Sequence, residues 1–246
     1  VLDPIDLIDG IDLESLVTKR TTGLMQPHLA PKIEKATRRQ FPDGIPEFGT
    51  DALRYTFASL ATTGRDIRFD LGRIEGYRNF CNKLWNASRF VLSGTEALED
   101  GDVATPTPGL ADRWIRSRLA HCAAEVERQF ARYRFALAAP ALYEFTWYEF
   151  CDWYVELSKA TLYADDAAAG DKAAAMTTLV EVLESLLRLL HPIMPFISEE
   201  IWLRVAPRAK VSGESSCDMR WPETGTRDDD AERELGWVQQ FVLGVR

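Results

Sequence analysis

The chain has 246 residues, enough for one large domain or two small ones. Hydrophobic residues make up 46% and charged residues 27%, with 15 Gly and 12 Pro, which excludes a disordered tail, a collagen and a low-complexity linker. The 38 acids outnumber the 29 bases for a net charge of −9, and that total argues against a nucleic-acid binder, since such domains usually carry a basic surplus.

No apolar run approaches the ~20 residues that cross a bilayer, and no charged stretch leads into the apolar run of a signal peptide. No membrane partner is expected. Cys81, Cys122, Cys151 and Cys217 form no C-x-x-C pair. That disfavours a disulfide framework or a zinc site and fits a reducing cytoplasm. His28, His121 and His191 are scattered, as surface or helix-end residues are, so no metal site is expected. The chain opens on Val1 rather than Met, inside a patterned segment, and reads as a piece of a longer protein.

In chain order, the stretch from Val1 to about Phe48 is weakly periodic. Its first 14 residues hold five acids (Asp3, Asp6, Asp9, Asp12, Glu14) and no base. Apolar residues from Ile5 to Val17 predict a short helix after Gly10. A second helix is expected from Pro31 to Gln40, with Pro in the first turn. Residues 41–46 read as a turn from their Pro and Gly. Gly49-Thr50-Asp51 begins a helix through Leu60, with an oxygen side chain available as N-cap. Arg65 to Asp70 alternate polar and apolar, which predicts an extended connector or a short strand.

From Gly72 onward the pattern is helical, with helices expected near 72–93, 111–138, 140–163, 172–190, 198–205 and 230–244. Ile115, Leu119, Cys122, Val126, Phe130, Tyr133 and Leu137 form one apolar stripe. A second runs from Met176 to Leu190. Residues 94–109 and 206–229 read as loops. The expected fold is mainly all-α: a small mixed segment over 1–71, then a bundle of four or five main helices over 72–246.

Helix 72–93 carries two faces. At about 100° per residue, Tyr77, Phe80, Cys81, Leu84, Ala87, Ser88 and Val91 share a buried side, flanked by Ile74, Trp85 and Leu92. Opposite them, Asn79, Asn82, Lys83, Asn86, Arg89 and Phe90 fall within an arc of about 120°. Amides and cations bond base edges and phosphates, and a phenyl ring beside them is a platform for an unstacked base. The alternative is that Phe90 packs under a neighbouring helix while the amides face water.

Charge is segregated along the chain. Residues 65–90 hold six bases against three acids, and residues 110–134 again six against three. Residues 214–236 hold eight acids against three bases. A basic stripe on an acidic protein still offers a local footprint for phosphates. Asn86-Ala87-Ser88 matches a glycosylation sequon, but it sits mid-helix with no signal peptide. Trp147, Tyr148, Trp153 and Tyr154 are expected to pack in the core, on a helix apolar nearly all round. Glu199 and Glu200 read as acids at a helix start, where the helix dipole favours them.

Three blocks, Gly49–Tyr55, Gly64–Asp70 and Gly76–Phe90, closely resemble the valyl-tRNA synthetase family of class I aminoacyl-tRNA synthetases. Phe150–Glu156 and Leu190–Trp202 look like that family's anticodon-binding domain. The long Asn-rich run at 76–90 argues against the related isoleucyl enzymes. Val1-Leu2-Asp3-Pro4 resembles the stretch that follows the family's Lys-Met-Ser-Lys-Ser loop. Neither that loop nor a His-x-Gly-His signature occurs here.

The resemblance implies a stem-contact segment over 1–71 and an anticodon-binding bundle over 72–246, without catalytic activity or a cofactor of its own. ATP and Mg would serve the intact ligase. Its catalytic and editing domains would precede this piece and a coiled-coil arm would follow it. The implied partners are valine tRNA and the rest of the synthetase chain, with the chain a monomer in the cytoplasm. Arg89 and Phe90 are implied in base and backbone contact at the anticodon, with Asn79, Asn82, Lys83 and Asn86 in support. Arg73, on the buried side of the wheel, would serve only as a flexible arm at the helix start. Arg65 and Arg68 would reach the inner corner of the tRNA, or else pair with Asp66 or Asp70. The rival class of function is a helical protein-interaction module that touches no RNA, motivated by the net acidity and the aromatic helix.

Overall fold

Two of the five acids in the first 14 residues, Asp3 and Asp12, act as helix caps. This computed structural model describes residues 2–62, 70–98, 104–223 and 225–245. Helix α1 spans Pro4–Ile8, and the Asp3 carboxylate accepts the Ile5 N–H at 3.0 Å. Helix α2 spans Leu13–Thr21, and Asp12 accepts the Ser15 N–H at 2.9 Å. Each acid satisfies one of the donors a first turn leaves bare. Lys19 reaches back to Asp3 at 2.6 Å and Asp6 at 2.8 Å, tying α2 to α1. The sequence reading foresees α2 but not α1.

Helix α3 spans Ala30–Gln40 and α4 spans Thr50–Leu60. Between α1 and α2 the chain meets the 41–46 turn in one antiparallel bridge, Ile11 to Ile45, bonded at 2.8 Å both ways. It is the one extended pairing among the described residues, which in the front segment otherwise form helices and turns. Gly44 needs its positive φ of 79° there, and a Cβ on it would run into the Ile11 carbonyl oxygen. The connector expected over 65–70 lies outside the described residues except for Asp70.

The bundle follows: α5 (Leu71–Gly94), α6 (Leu110–Phe130), α7 (Phe135–Glu144), α8 (Val155–Leu162), α9 (Ala169–Leu190), α10 (Pro195–Val205) and α11 (Asp229–Val245). The helix expected over 111–138 stops at Phe130. The Tyr133 N–H bonds the Phe130 carbonyl and the Arg134 N–H bonds the Gln129 carbonyl, both at 2.9 Å, closing the helix end. Tyr133 then sits at φ 55° and is exposed, and Leu137 is half exposed, so neither continues the stripe. Pro140, read from sequence as the start of the next helix, lies in the second turn of α7. The next ten residues, Phe145–Tyr154, form a π-helix that joins α7 to α8. Its wider turn spreads the aromatic side chains. Tyr154 is buried, Trp147 and Trp153 are half-buried, and Tyr148 is exposed, so the segment is not covered all round.

Two apolar clusters result. The larger gathers Phe80, Leu84, Ile115, Leu142, Phe150, Leu183 and Trp202 from α5 to α10. The smaller gathers Leu7, Leu16, Phe41, Phe48, Leu53 and Ile74. Helix α4 serves both, with Leu53 in one and Tyr55 in the other. Its cap position is Gly49, at φ 82° and without a side-chain bond, not the oxygen side chain expected. Asp51 caps a different helix instead: it accepts the N–H groups of Ile197 at 2.7 Å and Phe196 at 3.4 Å, at the start of α10. Because α10 begins at Pro195, Glu199 and Glu200 lie past its first turn, and the dipole role expected of them falls to Asp51.

Tyr55 is fully buried and its hydroxyl donates to the Ala139 carbonyl at 2.6 Å. Tyr55→Phe leaves that carbonyl without the bond and should cost about 1–3 kcal/mol. Tyr55→Ala should cost about 3–5 kcal/mol through the cavity it adds. Urea unfolding of both variants checks the order. Helix α11 is held to α6 by Glu232, which accepts from the Ser117 hydroxyl at 2.5 Å, Arg227 at 2.9 Å and Arg118 at 3.1 Å. Burial pushes this carboxyl up, but the bonds from Arg227, Ser117 and Arg118 prevail and lower it to about 2. Its stabilising effect is therefore present above the ordinary Glu range near 4.3 and lost as pH falls towards 2. Melting temperature should fall more steeply across that window in the parent than in Glu232→Gln.

Candidate nucleic-acid interface

Helix α5 is the element that separates packing from presentation. Asp70 caps it, accepting the Gly72 N–H at 3.0 Å. Ile74, Phe80, Leu84, Ala87, Ser88 and Val91 are buried, while Tyr77, Cys81, Trp85 and Leu92 are half-buried at the margins. The Ser88 hydroxyl is satisfied by the Leu84 carbonyl at 2.8 Å. The apolar side predicted from the wheel is the side that packs.

The opposite side divides in two. Asn79, Asn82, Asn86 and Arg89 are exposed, and among the described residues no group hydrogen-bonds or pairs with their side chains. Lys83 and Phe90 turn towards the π-helix and α8. Lys83 pairs with Asp152, and its ammonium lies 4.3 Å from the centroid of the Trp147 ring. Phe90 is half-buried against the main core, with the Lys159 ammonium 5.2 Å from its ring centroid. So Phe90 packs at its neighbours' edge while the three amides face water.

Arg73 is exposed, contrary to its wheel position. A shallow cavity of about 320 Å³ opens beside it, lined also by Gly76, Tyr77, Pro140, Tyr143 and Glu144. The wheel side that is covered one turn later is open to water here. Arg65 and Arg68 lie outside the described residues.

A second opening, of about 400 Å³, adjoins the amide row. Asn82 and Arg78 line it from α5, Phe48 to Ala52 from the front segment, and Phe196 from α10. Arg78 donates to the Glu47 carbonyl at 3.1 Å and stacks over Phe48, and Phe196 is 64% exposed. Periodicity could not have found this grouping, because its members meet only through tertiary packing. The signal available was Phe196 within the Leu190–Trp202 block.

The surplus of bases over 110–134 is mostly spent within the chain. Arg113 pairs with Asp228, Arg116 with Glu181, Arg118 with Glu149 and Glu232, and Arg128 with Glu125. That segment leaves less charge for phosphates than its composition suggests. Arg73 and Arg89 on α5 carry no such pair among the described residues.

Residues 112–246 match the family model described as the anticodon-binding domain of tRNA ligase. The chain belongs to that family. The matched span begins in α6, so α5 stands just before it. The similarity to individual relatives, by contrast, runs the whole length. The valine–tRNA ligase of Coxiella burnetii is 51% identical over 248 residues, covering all of this chain and 27% of the relative. That of Xylella fastidiosa strain M23 is 54% identical over 264 residues, covering all of this chain and 26% of the relative. The chain thus spans about a quarter of the length of these relatives. Among solved structures, the LeuRS–tRNA–LeuAMS ternary complex of Agrobacterium radiobacter K84 (agnB2) aligns at 21% identity and a TM-score of 0.49, over 75% of this chain and 20% of that one. Among the described residues of this anticodon-binding domain, no helix is long and apolar enough to cross a membrane.

A row that binds something else contributes little to folding. Single alanine variants of Asn79, Asn86 and Arg89 should unfold within about 0.5 kcal/mol of the parent. Phe90→Ala, which removes half-buried ring surface, should cost about 1–3 kcal/mol. Chemical denaturation distinguishes the two groups.

Proposed function

We propose that this chain binds the anticodon arm of valine tRNA through the outer side of α5. The observation that carries the reading is the row Asn79, Asn82, Asn86 and Arg89, exposed and without partners among the described residues. Amides and a guanidinium in this state lose no internal bond when a base edge or phosphate arrives. Arg89 contacts bases and backbone at one end of the helix, with the exposed part of the half-buried Phe90 ring beside it. Lys83 supports them from the flank, and Arg73 acts at the other end. Arg65 and Arg68, which lie outside the described residues, are further candidates for the tRNA backbone. The identity of 51–54% to valine–tRNA ligases supports valine tRNA as the cognate.

On this reading residues 1–71 meet the tRNA stem side and residues 72–246 form the anticodon-binding bundle. The chain acts in the cytoplasm, as a monomer, together with the catalytic, editing and coiled-coil parts of a ligase. Those parts use ATP and Mg to join valine to the tRNA. This piece orients the substrate and does no chemistry itself.

Filter binding with valine and isoleucine tRNA transcripts, from about 50 to about 300 mM salt, tests the reading. Valine tRNA should bind more tightly, and its affinity should fall steeply with salt. Arg89→Ala should weaken binding about tenfold and reduce the salt slope by about one. Asn82→Ala and Asn86→Ala should weaken it without changing the slope. A preference for isoleucine tRNA would move the assignment to that relative. No RNA affinity at low salt would leave a protein-interaction module and sink the proposal.

A further inference from the structure

Away from α5, one cluster brings a nucleophile to a base. His191 ends α9, its N–H bonded to the Leu187 carbonyl at 2.9 Å. Its ring meets α10 and the short helical turn Ser216–Asp218. Nδ1 lies 2.9 Å from the hydroxyl oxygens of both Ser198 and Ser216, and Nε2 lies 2.9 Å from the Cys217 sulfur.

Counting protons fixes the tautomer. A serine hydroxyl has one proton to give. Ser216 gives its proton to the Glu199 carboxylate, so its oxygen can only accept at the 2.9 Å contact with Nδ1. The Ser216 oxygen therefore faces the ring as an acceptor, which places the imidazole proton on Nδ1. A neutral imidazole has only one such proton, so Nε2 presents its lone pair to Cys217.

Charged groups surround the ring. Glu199 lies 3.8 Å from Nδ1, and Asp51 faces His191 from α4. The carbonyl end of the 22-residue helix α9 adds its dipole. Arg54, bonded to the carbonyls of Pro192 and Ile193, opposes it, and Asp218 beside Cys217 opposes a thiolate. Burial opposes charge on Glu199, but the bonds from Ser216 and Ser215 hold its carboxyl below the usual range, so it stays an anion near neutrality. Cys217 is exposed, while Cys122 and Cys151 are buried and Cys81 is half-buried.

We propose that Cys217 is a reactive thiol, activated by His191, that is modified by peroxides and by small soft electrophiles. The proposal is independent of the RNA reading. His191 Nε2 takes the thiol proton, leaving a thiolate beside an imidazolium. The thiolate attacks one oxygen of a hydroperoxide, the S–O bond forms and the O–O bond breaks. The sulfur is oxidised to the sulfenic acid and the peroxide is reduced. The leaving hydroxide or alkoxide takes the proton back from the imidazolium, giving water or an alcohol. Ser216 and Glu199 act as positioning residues by holding the ring in the one tautomer that works.

The test is the pH dependence of labelling by iodoacetamide, followed at each cysteine by peptide mass spectrometry on the 246-residue chain. An ordinary thiol labels with a midpoint near 8.5. Cys217 should show a lower midpoint and, at about pH 6.5, react at least about tenfold faster than a free thiol. After hydrogen peroxide, dimedone should mark Cys217 and leave Cys81, Cys122 and Cys151 unmarked. His191→Gln should return the midpoint to the ordinary range. If that variant fails to fold, the three covered cysteines will label, and Glu199→Gln then decides, with a midpoint raised part-way. An ordinary midpoint for Cys217 in the parent overturns the proposal. So does an unchanged midpoint in a folded His191→Gln.

Discussion

Three polar side chains on α4 hold the two halves of this molecule in register. Tyr55 donates to the Ala139 carbonyl, Asp51 caps α10, and Arg54 bonds the carbonyls of Pro192 and Ile193. All three partners are backbone groups from elements more than 80 residues away in sequence. Apolar packing is tolerant of small slides, but a hydrogen bond weakens steeply once its distance and angle are lost. The tethers therefore set where α7 and α10 lie relative to the front segment. Since α4 also lends side chains to both apolar clusters, opening either cluster disturbs the other, and the halves should exchange amide protons as a coupled unit.

How far this could be read beforehand depended on whether a feature is local. The two faces of α5 follow from residue spacing alone, and its buried side is the one the wheel marks. The helix end at Phe130 was not legible, because the apolar spacing runs on through Tyr133 and Leu137 while the chain turns on a single left-handed residue. The π-helix breaks the 3.6-residue period that such readings assume, and Tyr148 accordingly points to water where a buried side chain was expected. Arg73 shows the limit of a wheel: it gives direction around a helix, not whether anything stands there. The cleft that joins Asn82 to Phe196, and the meeting of His191 with Cys217, exist only in the folded chain.

The net charge has a similar history. As a sum, −9 argues against RNA. In the fold, Asp3 and Asp12 cap helices, and several of the acids over 214–236 answer arginines. The bases of α6 are largely consumed by such pairs. What remains for a phosphate is a local matter of unpaired groups on one surface, and a total over the chain does not describe it.

The exposed row on α5 is also a ruler. A helix advances 1.5 Å per residue, so Asn79 and Arg89 stand about 15 Å apart along a rigid axis. Bases stacked at about 3.4 Å per step would fit some four or five to that length. The core face of α5, wedged into the bundle, keeps the spacing from adjusting to its target. A strand laid along this row must match the helix in pitch or leave some of its groups unanswered.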